Sequence, residues 1–371
     1  MQEIDLKALS ALVLWASFGL SVLFGAITQR THFCTMGAVA DVVNIGDWAR
    51  MRMWVMAMGV AMIGFNLMVM LGWLDASKSI YGGPRFMWLS ALVGGLMFGF
   101  GMVLASGCGS KTLVRIGAGN LKSLVVFIVL GVAAFATLKG ITAVARVATV
   151  DAAAIALATG QDLPSLLAAP TGAARRTLAA WLGGGLGAVL VVWALARAEG
   201  RSANVLLGGA GIGAAIAAMW WVSGRLGYVA EDPNTLQQAF VATNSQRMEG
   251  FTFVAPMAYT LDWLMLFSDK SKVLTLGIVT TVGVVVGSAL YSAATRSLHW
   301  EGFRDAQDTA DHLAGAVLMG VGGVTALGCT IGQGLSGLST LSLTSFVAFG
   351  AIIDGAVLGL RFQIWRIERA A

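Results

Sequence analysis

Ala105-Ser106-Gly107-Cys108-Gly109-Ser110-Lys111 closes one apolar run, and Ala326-Leu327-Gly328-Cys329-Thr330-Ile331-Gly332 closes another far downstream. Gly99, Gly101, Ala105, Gly107 and Cys108 recur as Gly320, Gly322, Ala326, Gly328 and Cys329, at one offset of 221 residues (329 − 108 = 221). Matches at a constant offset read as equivalent points of an internal duplication. Glycine is costly inside a helix and reaches positive φ freely. A Gly-Cys step with further glycines behind it (Gly109; Gly332 and Gly334) therefore marks a place where an apolar helix breaks and presents a thiol. In lipid, broken backbone survives only where protein buries it or where it lines a polar cavity. Close helix packing would account for the glycines alone. The cysteines add a group that packing does not require, so both breaks are read as parts of a site.

The rest of the chain supplies the membrane. Of its 371 residues 57% are hydrophobic and 12% charged, with a mean hydropathy of +0.79; soluble domains carry about 25% charged residues. The fold class is an all-α polytopic integral membrane protein, with broken or half helices from two pseudo-symmetric halves meeting at a central path. Apolar segments fall at about 9–28, 51–74, 86–106, 122–140, 178–196, 203–222, 254–268, 273–295, 312–328 and 344–360, which predicts about nine or ten spanning helices. Sustained alternation over about ten residues is lacking, which excludes an outer-membrane barrel. Met1 to Lys7 lack the basic region of a secretory signal, so the first apolar segment is expected to be a retained helix.

The net charge of +5 suits inner-leaflet anchoring by Lys and Arg, and it also suits attraction of an anion. Basic clusters with interleaved aromatics are absent, so no nucleic-acid partner is expected. Cys34, Cys108 and Cys329 are the three cysteines; their wide spacing excludes a disulfide framework and argues against a zinc ribbon. Gly107 to Thr112 superficially resembles a phosphate-binding loop, but it lacks the adjacent Gly-Lys and follows a helix rather than a strand. No nucleotide, metal or other cofactor is expected.

The duplication extends weakly upstream. Gln29, Arg30 and Thr35 match Gln246, Arg247 and Thr252 at an offset of 217, and Met51–Leu74 corresponds to Lys272–Thr295. Cys34 then aligns with Phe251, so the second half lacks that thiol. The expected organisation is a first half over 1–140, a linker over 141–202 holding an interfacial helix and a connecting spanning helix, and a second half over 203–371. Residues 143–177 are alanine-rich and polar, and Asp232-Pro233 has the signature of a helix start, which predicts a peripheral helix within 231–247.

Gln29-Arg30-x-x-Phe33-Cys34, Gly107-Cys108-Gly109 and Gly328-Cys329-Thr330-Ile331-Gly332-Gln333-Gly334 resemble the YeeE/YedE family of bacterial sulfur-compound transporters. The resemblance implies a multi-pass permease of the bacterial inner membrane that imports thiosulfate or a related sulfur or selenium species. It implies a helical bundle with short helices dipping toward its middle, and three cysteines that pass the ion along. It also implies a small cytoplasmic sulfur carrier of the TusA-like type as partner, beside the lipid bilayer itself.

Thiosulfate is a dianion with one soft sulfur end. Half-helix N–H groups can meet its oxygens, and a protonated thiol is a weak S–H donor suited to its terminal sulfur. Weak, repeated contacts are what conduction needs. Cys34, Cys108 and Cys329 are therefore expected to form an S–H···S relay, with Gly107, Gly109 and Gly328 shaping the breaks and Thr330 and Gln333 as polar lining. Lys111 either faces the anion or snorkels to the interface. Arg30 and His32 either guide the ion at an entrance or belong to a solvated loop. Asp354 is an intramembrane acid, functional by default or else helix–helix glue. For each thiol the plain alternatives are a buried small hydrophobe and a soft-metal ligand. The rival functions are a membrane enzyme of thiol redox or sulfurtransfer chemistry, which would need a resolving partner, and a structural subunit. The leading expectation is transport without catalysis.

Overall fold

The structure is a computed structural model, and it describes residues 6–233 and 235–370. The chain opens with α1 (Leu6–Thr31), α2 (Thr35–Ile45), α3 (Ala49–Met70), α4 (Trp88–Leu104), α5 (Gly109–Gly117) and α6 (Leu121–Lys139). Two short helices, α7 (Ile141–Ala148) and α8 (Leu163–Thr171), precede the long α9 (Arg175–Leu195). Then follow α10 (Ala203–Trp221), α11 (Val254–Met265), α12 (Leu276–Ala294), α13 (Ala306–Thr325), a short helical piece over 330–339 and α14 (Leu343–Ala370). Among the described residues sheet is confined to two-residue ribbons: β1 (Arg85–Phe86) pairs antiparallel with β2 (Ile155–Ala156), and β3 (Tyr228–Val229) with β4 (Ala239–Phe240).

Eight of the described helical stretches are long and apolar enough to cross a bilayer, fewer than the nine or ten expected. Two segments account for the difference. At 12 residues, α11 is about 18 Å long and too short to span. Helix α13 has the length, but its first turns carry Asp308 and Asp311, tied to Lys122 and Arg366.

The core is set by α4 crossing α13. Gly94 lies against the backbone of Gly322, Thr325 and Ala326, and Gly101 against that of Gly315 and Met319. Gly315 and Gly322 in turn meet Gly101, Ala105, Gly94 and Phe98. Since 315 − 94 and 322 − 101 both equal 221, the two contacts are copies of each other with partners exchanged, as in an isologous interface. A side chain at any of these glycines would occupy the space of the neighbouring backbone, which is the use small residues have in membrane helix crossings. The two helix breaks, at Cys108 and Cys329, follow this crossing on α4 and α13, and both cysteines are buried.

Residues 141–174 cover one end of this core. The Leu163 N–H donates to the Leu341 carbonyl (3.1 Å) and the Leu343 N–H to that of Gln161 (3.1 Å), while the Gln161 side chain also accepts from Thr344. The peripheral helix expected within 231–247 is not there. Asp232-Pro233 instead opens a tight turn: the Leu236 and Thr235 N–H groups return to the Asp232 carbonyl (2.8 and 3.2 Å), Leu236 takes φ 54°, and the β3–β4 ribbon closes the loop. A helix cap and a hairpin turn begin with the same residues, and here the strand pairing on either side selects the turn.

Candidate functional site

All three cysteines are buried, and each sits at the start of a short helical piece. Cys34 caps α2, in extended conformation (φ −159°), and its sulfur accepts from the Gly37 N–H at 3.5 Å. Cys108 caps α5 (φ −81°, ψ 176°) with its sulfur 3.2 Å from the Ser110 hydroxyl. Cys329 precedes the 330–339 piece, which is π-wound across Gly332–Gly337, and its sulfur accepts from the N–H of Gly332 at 3.4 Å. The turn leading into each cap is the same. Two residues before each cysteine a non-glycine residue takes positive φ: His32 (53°), Ser106 (55°) and Leu327 (58°). Such a left-handed residue reverses the chain sharply enough for a helix end to be followed at once by a new helix start. At the fourth equivalent position Phe251 packs on Phe24 and Phe253, and α11 does not begin until Val254.

Cys108 lies within electrostatic reach of both Cys34 and Cys329, whereas the neighbours of Cys34 are Cys108, Lys111 and Arg115. On the Cys34 side stand Lys111, Arg115, Arg50 and His32. Arg50 is paired with Asp41, while Lys111 and Arg115 have no salt bridge among the described residues. Arg30 lies exposed at the end of α1 and is not among the groups beside Cys34. Asp354 is exposed on α14.

On the Cys329 side a cavity of about 300 Å³ reaches Leu327 and Gly328, lined also by Tyr81, Arg146, Arg247, Glu249 and Thr252. Burial pushes the Glu249 carboxyl above its usual range, against hydrogen bonds from Ser245 that pull it down. Around this end several buried polar atoms have no hydrogen-bond partner among the described residues: Tyr81 Oη, Thr330 Oγ1 and Gln333 Oε1. Thr35 Oγ1, next to Cys34, is another. Buried polar groups are normally paired, so these atoms are free to meet a polar guest. The Gln333 amide is anchored on the Ala326 carbonyl, and its backbone N–H on that of Cys329 (2.8 Å). Gly107 makes room for Lys111, a Cβ there falling 3.2 Å from the Lys111 chain, and Gly328 does the same for Gln333 at 3.1 Å. Gly109 is less crowded, with Met257 at 3.5 Å.

This arrangement of thiols at helix breaks in a polytopic bundle falls within residues 30–358, which match the sulphur transport family. The chain belongs to the sulphur transport family. It is a sulfur-compound transporter, as the motifs around the three cysteines led one to expect. Among the relatives of this family, the thiosulfate transporter TsuA of Escherichia coli is 27% identical over 322 residues, 84% of each chain. TsuA of Spirochaeta thermophila is 24% identical over 352 residues, 91% of this chain and 94% of its own. The probable transporter YedE of Salmonella typhimurium is 35% identical over 101 residues, 26% of this chain.

Two features of this family member escaped sequence reading. Tyr81 lies in the loop after α3, where nothing in its neighbours marks a buried phenol. The other is Thr35: it follows Cys34 directly, as the expected Thr330 follows Cys329, and that repeated Cys-Thr step was the available signal for it.

Proposed function

We propose that the protein is a permease of the bacterial inner membrane that imports thiosulfate, or a related small sulfur-containing ion, past Cys329, Cys108 and Cys34 in series. The observation that carries this reading is that each of the three thiols stands at a helix start, with Cys108 within electrostatic reach of the other two. At Cys34 and Cys329 the sulfur accepts backbone N–H groups, so a lone pair is engaged and the S–H proton is left to donate elsewhere. That turns a thiol into a weak, oriented donor for a soft terminal sulfur. Beside it, the N–H groups of the first helical turn and the unpaired hydroxyls of Thr35, Thr330 and Tyr81 suit the oxygens.

Each contact is modest, and the ion exchanges one for the next without being trapped. Lys111 and Arg115 on one side, and Arg247 and Arg146 on the other, would raise the local anion concentration at the two ends. The domain division at 1–140, 141–202 and 203–371 belongs to the same proposal and is supported by the isologous α4–α13 crossing. Cytoplasmic consumption of the ion by a TusA-like sulfur carrier would supply the driving force for net import.

The test is radiolabelled thiosulfate uptake by proteoliposomes holding the purified protein, with sulfate and selenium analogues as competitors. Saturable uptake that thiosulfate outcompetes sulfate for is expected. Absence of uptake in folded, correctly reconstituted protein would refute transport. Appearance of a persulfide on Cys108, with turnover of thiosulfate, would favour sulfurtransfer chemistry instead.

A further inference from the structure

A second pocket, of about 330 Å³, opens where three spanning helices end: α3 at Met70, α9 at Arg175 and the α10 stretch at Leu226. Its walls hold four cations, Lys78, Arg175, Arg176 and Arg225, against one carboxylate, Asp75. That carboxylate is already engaged, accepting from the Ser77 N–H (3.0 Å) and hydroxyl (2.7 Å) and pairing with Arg175. Arg175 is further held by the buried Asp162 at 3.1 Å. Lys78 lies over the Tyr228 ring, 4.6 Å from its centre. Arg176 and Arg225 have no carboxylate partner among the described residues, and the Arg176 guanidinium rests against Gly72, which takes φ 72° and leaves it room. The remaining wall is apolar, from Val69, Trp73, Leu74, Phe240 and Met248.

This pocket is separate from the cavity that leads to Cys329. The main-chain pairing of Ile80 and Lys78 with Met248 (both 3.1 Å) stands between them. Lys78 and Met248 face this pocket, whereas Ile80, Tyr81 and Arg247 line the other.

We propose that this pocket holds the phosphate headgroup of an anionic phospholipid, with its glycerol and first methylenes against Trp73, Leu74 and Phe240. The charge excess calls for an anion. The place, at the ends of three spanning helices with an exposed tryptophan at the rim, is headgroup depth. Two unpaired guanidiniums in a polar pocket with an apolar floor match a phosphodiester attached to acyl chains better than a free ion. The lipid would pin α9 to the ends of α3 and α10, and the site is independent of the transport reading.

The experiment is native mass spectrometry of the detergent-purified protein, paired with thermal unfolding after adding phosphatidylglycerol, phosphatidylcholine or inorganic phosphate. The wild type is expected to keep one phosphatidylglycerol through delipidation, and to be stabilised by that lipid but not by the other two additions. In Arg176→Gln combined with Arg225→Gln, both at exposed positions, affinity for phosphatidylglycerol should fall roughly ten- to a hundredfold. Equal retention by the variant would overturn the proposal. Stabilisation by phosphatidylcholine to the same extent would remove the headgroup's role, and stabilisation by inorganic phosphate alone would make the pocket a free-anion site.

Discussion

Replacing Gly322 by Ala is the sharpest test of how the two helix breaks are held together. A Cβ at Gly322 falls 2.6 Å from the Gly94 carbonyl oxygen and 2.6 Å from the Phe98 nitrogen, where ordinary contact begins at 3.4 Å. Both neighbours are backbone, so no side chain can swing away. The α4 and α13 axes must part by about 0.8 Å at that point, and overpacking of this kind costs about 1–3 kcal/mol. That corresponds to roughly a 5- to 150-fold loss in the folded-to-unfolded ratio, at tenfold for each 1.4 kcal/mol. The same displacement lies within two turns of Cys329, and separates it from Cys108, so uptake should fall further than protein abundance does. Gly350→Ala is the matched control, since nothing lies within 4 Å of a Cβ there; helix propensity alone should make it neutral or slightly stabilising. Thermal unfolding in detergent and thiosulfate uptake in proteoliposomes would be measured on the same preparations. If Gly322→Ala and Gly350→Ala behave alike in both assays, the crossing does not position the thiols and the reasoning fails.

Tyr81→Phe removes a buried hydroxyl that has no partner among the described residues, so stability should hold or rise by a few tenths of a kcal/mol, while uptake drops severalfold; a melting curve and an uptake rate separate the two. Lys111→Gln breaks no salt bridge, so folding should be untouched. Uptake should fall about threefold to tenfold at low ionic strength and much less at high salt, where screening already weakens the attraction. Glu249 binds its proton more tightly in the folded protein than in the unfolded chain. The stability it contributes is therefore full below the ordinary glutamate range and is lost as pH rises through the raised folded value. Glu249→Gln should flatten that part of the stability–pH curve, which thermal unfolding from pH 4 to 8 would record.

The broken helices were readable because glycine and cysteine recur at a fixed offset, and an interruption in lipid has few physical explanations. Eight spanning segments followed from hydropathy alone, while α11 and α13 were over-read because hydropathy does not see a short helix or an acidic first turn. What local sequence could not supply was the third start, at Cys34: the apolar run ends near Thr28 and a mixed stretch follows, and only the positive φ of His32 reveals that a new helix begins there. Asp232-Pro233 misled because turns and helix caps share their first residues, and strand pairing across eleven residues decided between them. Tyr81 was out of reach since its burial comes from packing against Trp220, far along the chain. Arg30 matched its repeat partner in sequence, yet it is exposed whereas Arg247 lines the cavity near Cys329.

The most direct measurement is thiosulfate uptake by proteoliposomes carrying Cys34→Ala, Cys108→Ala or Cys329→Ala, each checked for folding by its thermal transition. Three weak donors in series predict that every single variant loses uptake by about an order of magnitude, with Cys108→Ala the worst because it leaves the gap between the outer two. Full wild-type uptake in all three folded variants would contradict the series of thiols.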